Sequence, residues 1–165
     1  MTFEELKCGR LVQHFKRELM SEEERKSAPT KYTYEIIGTA MHTETEERLV
    51  IYRALYGDMK MYARPVDMFL SEVDREKYPD AKQKFRFERA YDVHILGRPL
   101  YMRGETVRFL WNDSEEKQGT VEIVDSYGTF EQSEEPSYDV HVTDENGRTA
   151  LYKHVRQSWI LVDKK

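Results

Sequence analysis

The segment Glu47-Arg48-Leu49-Val50-Ile51-Tyr52-Arg53-Ala54-Leu55-Tyr56 is the strongest strand signal in the first half of the chain. Leu49, Ile51 and Leu55 alternate with Val50, Tyr52, Ala54 and Tyr56, and β-branched and aromatic residues dominate. Successive strand residues point to opposite faces, so both faces here are largely apolar. That pattern predicts a strand covered on both sides, as inside a small barrel. Gly57-Asp58 reads as the turn, and Met59 to Arg64 as the returning arm of a hairpin.

Working outward, Tyr32 to Ala40 is the preceding strand, with Tyr32, Tyr34 and Ile36 on one side, and His42 to Thr45 connects it to the main strand. Arg64-Pro65 ends the return strand, because proline has no N–H to give to a ladder. Met68, Phe69 and Val73 then fit a short helical turn capped at Asp67 or its neighbourhood. Ser21 followed three residues later by Glu24 is a capping-box pattern, placing a short exposed helix inside the charged stretch Lys16 to Lys31.

Tyr78 to Gln83, with Pro79, reads as a connector, and a second unit begins around Arg89. Its strands are Gly104 to Trp111, Gly119 to Asp125 and Ser137 to Val142, each with period-two alternation, followed by Thr149 to Tyr152. Asn146-Gly147 signals a two-residue hairpin. Lys153 to Gln157 suits one 3₁₀ turn, and Trp159 to Val162 closes the series. Strand, long excursion, strand, strand, tight hairpin, strand, single turn, strand is the layout of an SH3-like barrel. The expected fold is therefore mainly β: two small SH3-like barrels in tandem with short helical turns. Residues 1–88 form the first, with a charged insertion at 17–31, and residues 89–165 the second. Met61-Tyr62-Ala63-Arg64 with Met68-Phe69 parallels Leu151-Tyr152-Lys153-His154 with Trp159-Ile160, hinting at two related units.

Composition narrows the setting. Of 165 residues, 39% are apolar, 35% charged and 12% aromatic. That is polar for one large core yet too aromatic for disorder, and it suits small barrels filled by a few large side chains. No apolar run approaches the roughly 20 residues that span a bilayer, and Met1 to Leu6 has no basic-then-apolar leader. With Cys8 the single cysteine, no internal disulfide can form, and a cytoplasmic, reducing environment is expected. The net charge of −5 is spread along the chain, with 16 basic and 17 acidic residues up to Glu88 and 10 and 14 beyond it. Neither part is a basic module of the kind that grips phosphate backbones.

Gly9, His14-Phe15-Lys16, Tyr34 to Ala40, His42 to Thr45, Leu49 to Tyr52, Leu55-Tyr56-Gly57, Arg64-Pro65 and Met68-Phe69 together form a spaced motif set. In these residues the chain resembles a small bacterial family, domain-of-unknown-function family 1653, from about Gly9 to Phe87, with Arg86-Phe87 as its closing pair. The resemblance implies an SH3-like barrel in a bacterial protein and no substrate or reaction. Two departures stand out. Arg17 and the charged stretch to Lys31 replace the family's short Gly-containing turn, and Tyr62 stands where the family often has Trp. The second half resembles no named family.

The candidate ligand-binding residues are His14, His42, Glu44 and Arg64, with Tyr52 and Tyr56. His42 and Glu44 are two apart and would share a face in extended backbone. A guanidinium beside a carboxylate and an imidazole can bind an anionic or polar ligand. The plainer alternative is that Arg64 pairs with Glu44 to tether the turn while the histidines cap strand ends. As metal ligands His14, His42 and Glu44 make a poor set, without a close His pair or a usable cysteine, so no metal and no cofactor are expected. No Ser or Cys lies in a nucleophilic setting, so no catalytic residue is assigned, and Cys8 reads as an ordinary small strand residue.

In the second half, Trp111, Tyr127, Phe130, Tyr138, Tyr152 and Trp159 stand beside loop acids Glu115, Glu116, Glu131, Glu134 and Glu135, a surface that would suit a basic or proline-containing peptide. Most of those aromatics fall at inward positions and are expected in the core. Arg103, Arg108, Lys153, His154 and Arg156 make a modest basic stripe, the basis of a less favoured nucleic-acid reading. The expected function is a non-enzymatic binding or adaptor module whose partner is a protein or a small polar ligand, with no membrane role. Ligand sensing or catalysis by the His/Glu/Arg cluster is the competing class.

Overall fold

The computed structural model describes residues 1–129 and 132–162, so the expectations placed on Phe130 and Glu131 lie outside the described residues. The chain folds as two compact units, Met1–Val93 and His94–Lys165. Each contains one five-stranded antiparallel sheet.

The first sheet is built from β1 (Leu11–His14), β2 (Thr33–Met41), β3 (Arg48–Ala54), β4 (Met61–Pro65) and β5 (Phe87–Arg89), in the order β4-β3-β2-β1-β5. The second uses β6 (Thr106–Trp111), β7 (Glu115–Asp125), β8 (Ser137–Thr143), β9 (Thr149–Arg156) and β10 (Ile160–Leu161), in the order β10-β6-β7-β8-β9. In both, four strands follow one another as a meander and the fifth returns beside the first. The mainly β class holds, and the two units repeat one strand order. Closure into barrels does not hold. The fifth strands are only three and two residues long and pair with β1 and β6 alone. Among the described residues no ladder joins them to β4 or β9, so each sheet is open.

The first core explains the decisive strand. Val50, Tyr52 and Ala54 of β3 are buried, whereas Leu49, Ile51 and Arg53 are partly exposed. The strand has one core face and one half-covered face, which corrects the expectation of two. Leu6, Val12, Tyr34, Ile36, Val66, Phe69 and Phe87 complete the core. Phe69 is supplied by α2 (Val66–Leu70) and stacks flat on Phe87, ring centroids 4.1 Å apart and 4° from parallel. Such a pair contributes about 0.5–1.5 kcal/mol beyond its burial. The N-cap of α2 is Pro65, within the expected neighbourhood but without a side-chain cap hydrogen bond, and Asp67 lies inside the helix.

The charged excursion holds α1 (Glu22–Ser27), opened by the expected capping box: Glu24 N–H donates to Ser21 Oγ at 3.2 Å, and Ser21 N–H to Glu24 Oε2 at 2.9 Å. Its anchor is Arg17, 4% exposed. Nη1 donates to the carbonyls of Pro29 at 2.7 Å and Lys31 at 3.1 Å, and Nη2 reaches Asp92 at 3.5 Å. The side chain that replaces the short turn thus ties both ends of the longer excursion together.

Three turns in the second unit differ from expectation. β6 and β7 are joined by Asn112 and Asp113 with φ of 51° and 61°, a tight turn whose twist matches a hairpin. Glu115 and Glu116 consequently lie in β7, opposite Trp111 and Leu110, not in a long loop. The Asp144–Arg148 hairpin is longer than two residues. Gly147 N–H donates to Asp144 C=O at 3.0 Å and Gly147 alone carries positive φ, 75°, a type I turn followed by a left-handed glycine. β9 runs on to Arg156, so the 3₁₀ turn falls at Gln157–Trp159. Buried Tyr138 organises this unit, accepting from Leu100 N–H at 3.1 Å and donating to Gln157 Oε1 at 2.5 Å. Tyr138 is thereby a core residue.

Candidate functional site

Register places the candidate residues of the first unit. Across β3 and β4, Tyr52 faces Tyr62 and Val50 faces Arg64. Across β1 and β5, His14 faces Phe87. Tyr34 is opposite Ala54 on β2 and β3. Because cross-strand partners share a face, His14, Tyr34, Tyr52, Tyr62, Arg64 and Phe87 all stand on the core face.

Arg64 Nε–H donates to the Tyr52 hydroxyl at 3.3 Å, and its guanidinium lies 5.8 Å from the centre of the Phe87 ring. Tyr34 and Tyr56 share a hydroxyl–hydroxyl hydrogen bond of 2.6 Å. Tyr34 packs edge-on to Tyr52, Tyr56 and Phe87 at 5.4–5.6 Å. His14 lies 4.4 Å from Phe15 and 4.9 Å from Phe87, with Tyr32 at 6.4 Å. Its Nδ1 accepts the Lys16 N–H at 3.3 Å, so in the neutral ring the proton sits on Nε2.

Burial is the main force lowering the His14 pKa to about 4, helped by the charges of Lys16, Arg64 and Arg86. The imidazole is therefore neutral at physiological pH. Burial also raises the Tyr34 hydroxyl, with its Tyr56 bond adding to the effect, and burial raises Tyr56. Both stay protonated. The face thus presents neutral hydroxyls, a neutral ring and a fixed guanidinium, and no carboxylate pairs with Arg64 among the described residues.

Of the six candidates, the fold brings together His14, Tyr52, Tyr56 and Arg64. His42 and Glu44 stand apart, exposed in the β2–β3 turn. His42 Nδ1 accepts the N–H groups of Glu44 at 3.3 Å and Thr45 at 3.2 Å, so the imidazole caps its own turn. No Glu44–Arg64 ion pair forms. No group of three or more His, Cys, Asp or Glu side chains converges among the described residues. Cys8 is exposed in a turn before β1, not in a strand.

Sequence reasoning did not assign Tyr34, Tyr62, Arg86 or Phe87 to the site. Tyr34 was already on the right face by parity with Tyr32, and Tyr62 follows from hairpin register once the turn is fixed. Phe87 needs the return of β5 beside β1, which no local pattern encodes.

In the second unit, Trp111 packs edge-on to Tyr152 at 5.1 Å and Trp159 at 6.0 Å, while Tyr127 is 65% exposed. The basic stripe is largely offset. Arg108 pairs with Glu116 at 2.7 Å, and Arg103, His154 and Arg156 each have a carboxylate at 3.9 Å, from Glu122, Asp139 and Glu134. Glu135 accepts from Ser158 N–H at 2.7 Å and Oγ–H at 2.8 Å, leaving that acid engaged in the fold. No helix among the described residues is long and apolar enough to cross a membrane.

Residues 10–89, the N-terminal half, match the model of the family described as "Protein of unknown function (DUF1653)", and the C-terminal half has no family assignment. No curated protein and no solved structure matches the chain.

Proposed function

We propose that the N-terminal half, which that family model covers, is a non-enzymatic binding module of a bacterial cytoplasmic protein. It receives a small polar ligand, or a polar side chain of a partner protein, on the face formed by His14, Tyr52, Tyr56 and Arg64. The observation that carries this reading is the state of Arg64: held in place by a hydroxyl and an aromatic face, it has no carboxylate partner among the described residues. A structural ion pair would engage the guanidinium fully, whereas here its outer N–H groups keep their donor capacity.

Binding is favoured over catalysis by the protonation states. Tyr34 and Tyr56 hold their protons more firmly than ordinary tyrosines, and His14 has too low an affinity for protons to act as an effective base near neutrality. The glutamate invoked for an acid–base cluster lies in an exposed turn.

A thermal-shift screen of chemically varied small polar molecules, on wild type and Arg64→Ala side by side, tests the reading. Compounds that raise the melting temperature of wild type and not of a normally folded Arg64→Ala protein are the expected result. An Arg64→Ala protein that unfolds, with no compound shifting wild type, would reduce Arg64 to a structural tether.

A further inference from the structure

The charge around this face is out of keeping with the rest of the molecule. The chain carries a net charge of −5, yet the charged groups acting on His14 are Lys16, Arg64 and Arg86, all cations. None of the three forms an ion pair among the described residues. Arg64 gives its Nε–H to Tyr52, and its two terminal nitrogens have no protein acceptor there. The Arg86 Nε is buried without a hydrogen-bond partner, as are those of Arg17, Arg25 and Arg53, but Arg86 has no ion pair through its terminal nitrogens among the described residues. In the same unit Arg53 is matched by Glu35 at 2.7 Å and Arg17 by Asp92 at 3.5 Å, while Arg25 and Arg75 give their terminal N–H groups to backbone carbonyls. Lys16 is exposed, but Arg64 and Arg86 are partly buried, and partly buried cations without a counter-charge are costly to keep. An anion arriving from solution removes that cost.

The surroundings say what carries the anion. Tyr62 is 42% exposed and its ring leans at 30° to that of Tyr52, centroids 5.5 Å apart. Tyr32 and Tyr56 pack at 6.0 Å, both half-buried. Aromatic surface therefore adjoins the guanidinium through Tyr52, its neighbour Tyr62 and Phe87. We infer that this face takes an organic anion, a carboxylate or phosphate borne on a flat apolar body, with the terminal N–H groups of Arg64 on the anionic oxygens and the tyrosine rings against the body. Arg86 adds its charge. The inference rests on the reading of this face as a binding site and names the ligand class.

The probes are phenyl phosphate and benzoate, with benzyl alcohol and benzylammonium as neutral and cationic counterparts, titrated into the full chain by calorimetry and followed by shifts of the tyrosine ring signals. One or both anions should bind, more weakly as salt is added, and which of them binds tighter separates phosphate from carboxylate. Arg64→Gln, shown to be folded by its near-ultraviolet circular dichroism, should bind at least about tenfold more weakly, the loss of a charge-assisted pair. Should Arg64→Gln fail to fold, Arg86→Gln carries the test and should weaken binding severalfold. Benzyl alcohol or benzylammonium binding as tightly as the anions overturns the anion assignment and leaves the binding reading standing. Anion binding untouched by either substitution also overturns it. Binding of none of the four probes removes both.

Discussion

Arg64 on edge strand β4 donates to Tyr52 on β3 while lying over the ring of Phe87 on the opposite edge strand β5. The backbone leaves this sheet open, and a side-chain bridge spans the gap that a ladder would have closed. Phe69 stacked on Phe87 reinforces it from α2. The seam that a closed barrel would lose is thus kept as a polar face with aromatic walls, and that is where the candidate binding residues meet.

Tyr52→Phe tests the bridge. It keeps the ring contacts with Tyr34, Tyr62, Phe69 and Phe87 and removes only the acceptor for Arg64. The expected loss of stability is about 0.5–1.5 kcal/mol, the net worth of one hydrogen bond. Urea denaturation followed by far-ultraviolet circular dichroism measures it. No change in midpoint would mean that water replaces the hydroxyl at no cost.

Arg17 offers a larger effect. Buried, it satisfies the carbonyls of Pro29 and Lys31, which close the excursion that follows it. Arg17→Met preserves much of the stem and leaves two carbonyls without their donor, at an expected cost of about 1–3 kcal/mol. Amide exchange should accelerate first in residues 17–31. Faster exchange in β1 and β5 with the excursion unaffected would contradict the anchoring role.

The mainly β class was legible because period-two alternation is a local property: β2, β3, β6 and β8 could be read from parity alone. The capping box of α1 was legible for the same reason. Barrel closure was misjudged because it depends on how far Phe87–Arg89 and Ile160–Leu161 reach, and strand length at a seam leaves no pattern in sequence. Asn112-Asp113 was a hairpin signal passed over in favour of a long excursion, which misplaced Glu115 and Glu116. At the site, polar residues near the decisive strand were the right place to look. Sequence distance could not show that His42 and Glu44 spend themselves on their own turn.

His14 makes the acid limb of stability predictable. Its folded pKa, about 4, lies below the ordinary histidine value of 6.5, so on acidification the unfolded chain takes up the proton first. Its contribution is fully retained above about pH 6.5 and is lost as the pH falls toward about 4, where the folded protein also protonates. His14→Asn keeps an acceptor for the Lys16 N–H without titrating, and the melting temperature of this variant should fall less steeply over that window. Proton NMR of the imidazoles measures the pKa directly. A His14 value near 6.5 would show that solvent reaches the ring.

The β6–β7 turn holds strain that one substitution should relieve. Asn112 and Asp113 both sit at positive φ, 51° and 61°, conformations that L residues with a Cβ adopt at a cost and glycine adopts freely. Asparagine is already the favoured first residue of such a turn, while the second position favours glycine. Asp113 is exposed, so little else is lost by replacing it. Part of the relief is offset because glycine also loosens the unfolded chain. Asp113→Gly should therefore stabilise the second unit by roughly 0.5–1 kcal/mol, and Asp113→Val should destabilise it by at least as much. Trp111 and Trp159 are the chain's two tryptophans and both lie in this unit. Their fluorescence during guanidinium unfolding reports on it selectively. An unchanged midpoint in both variants would show that the turn relaxes without strain.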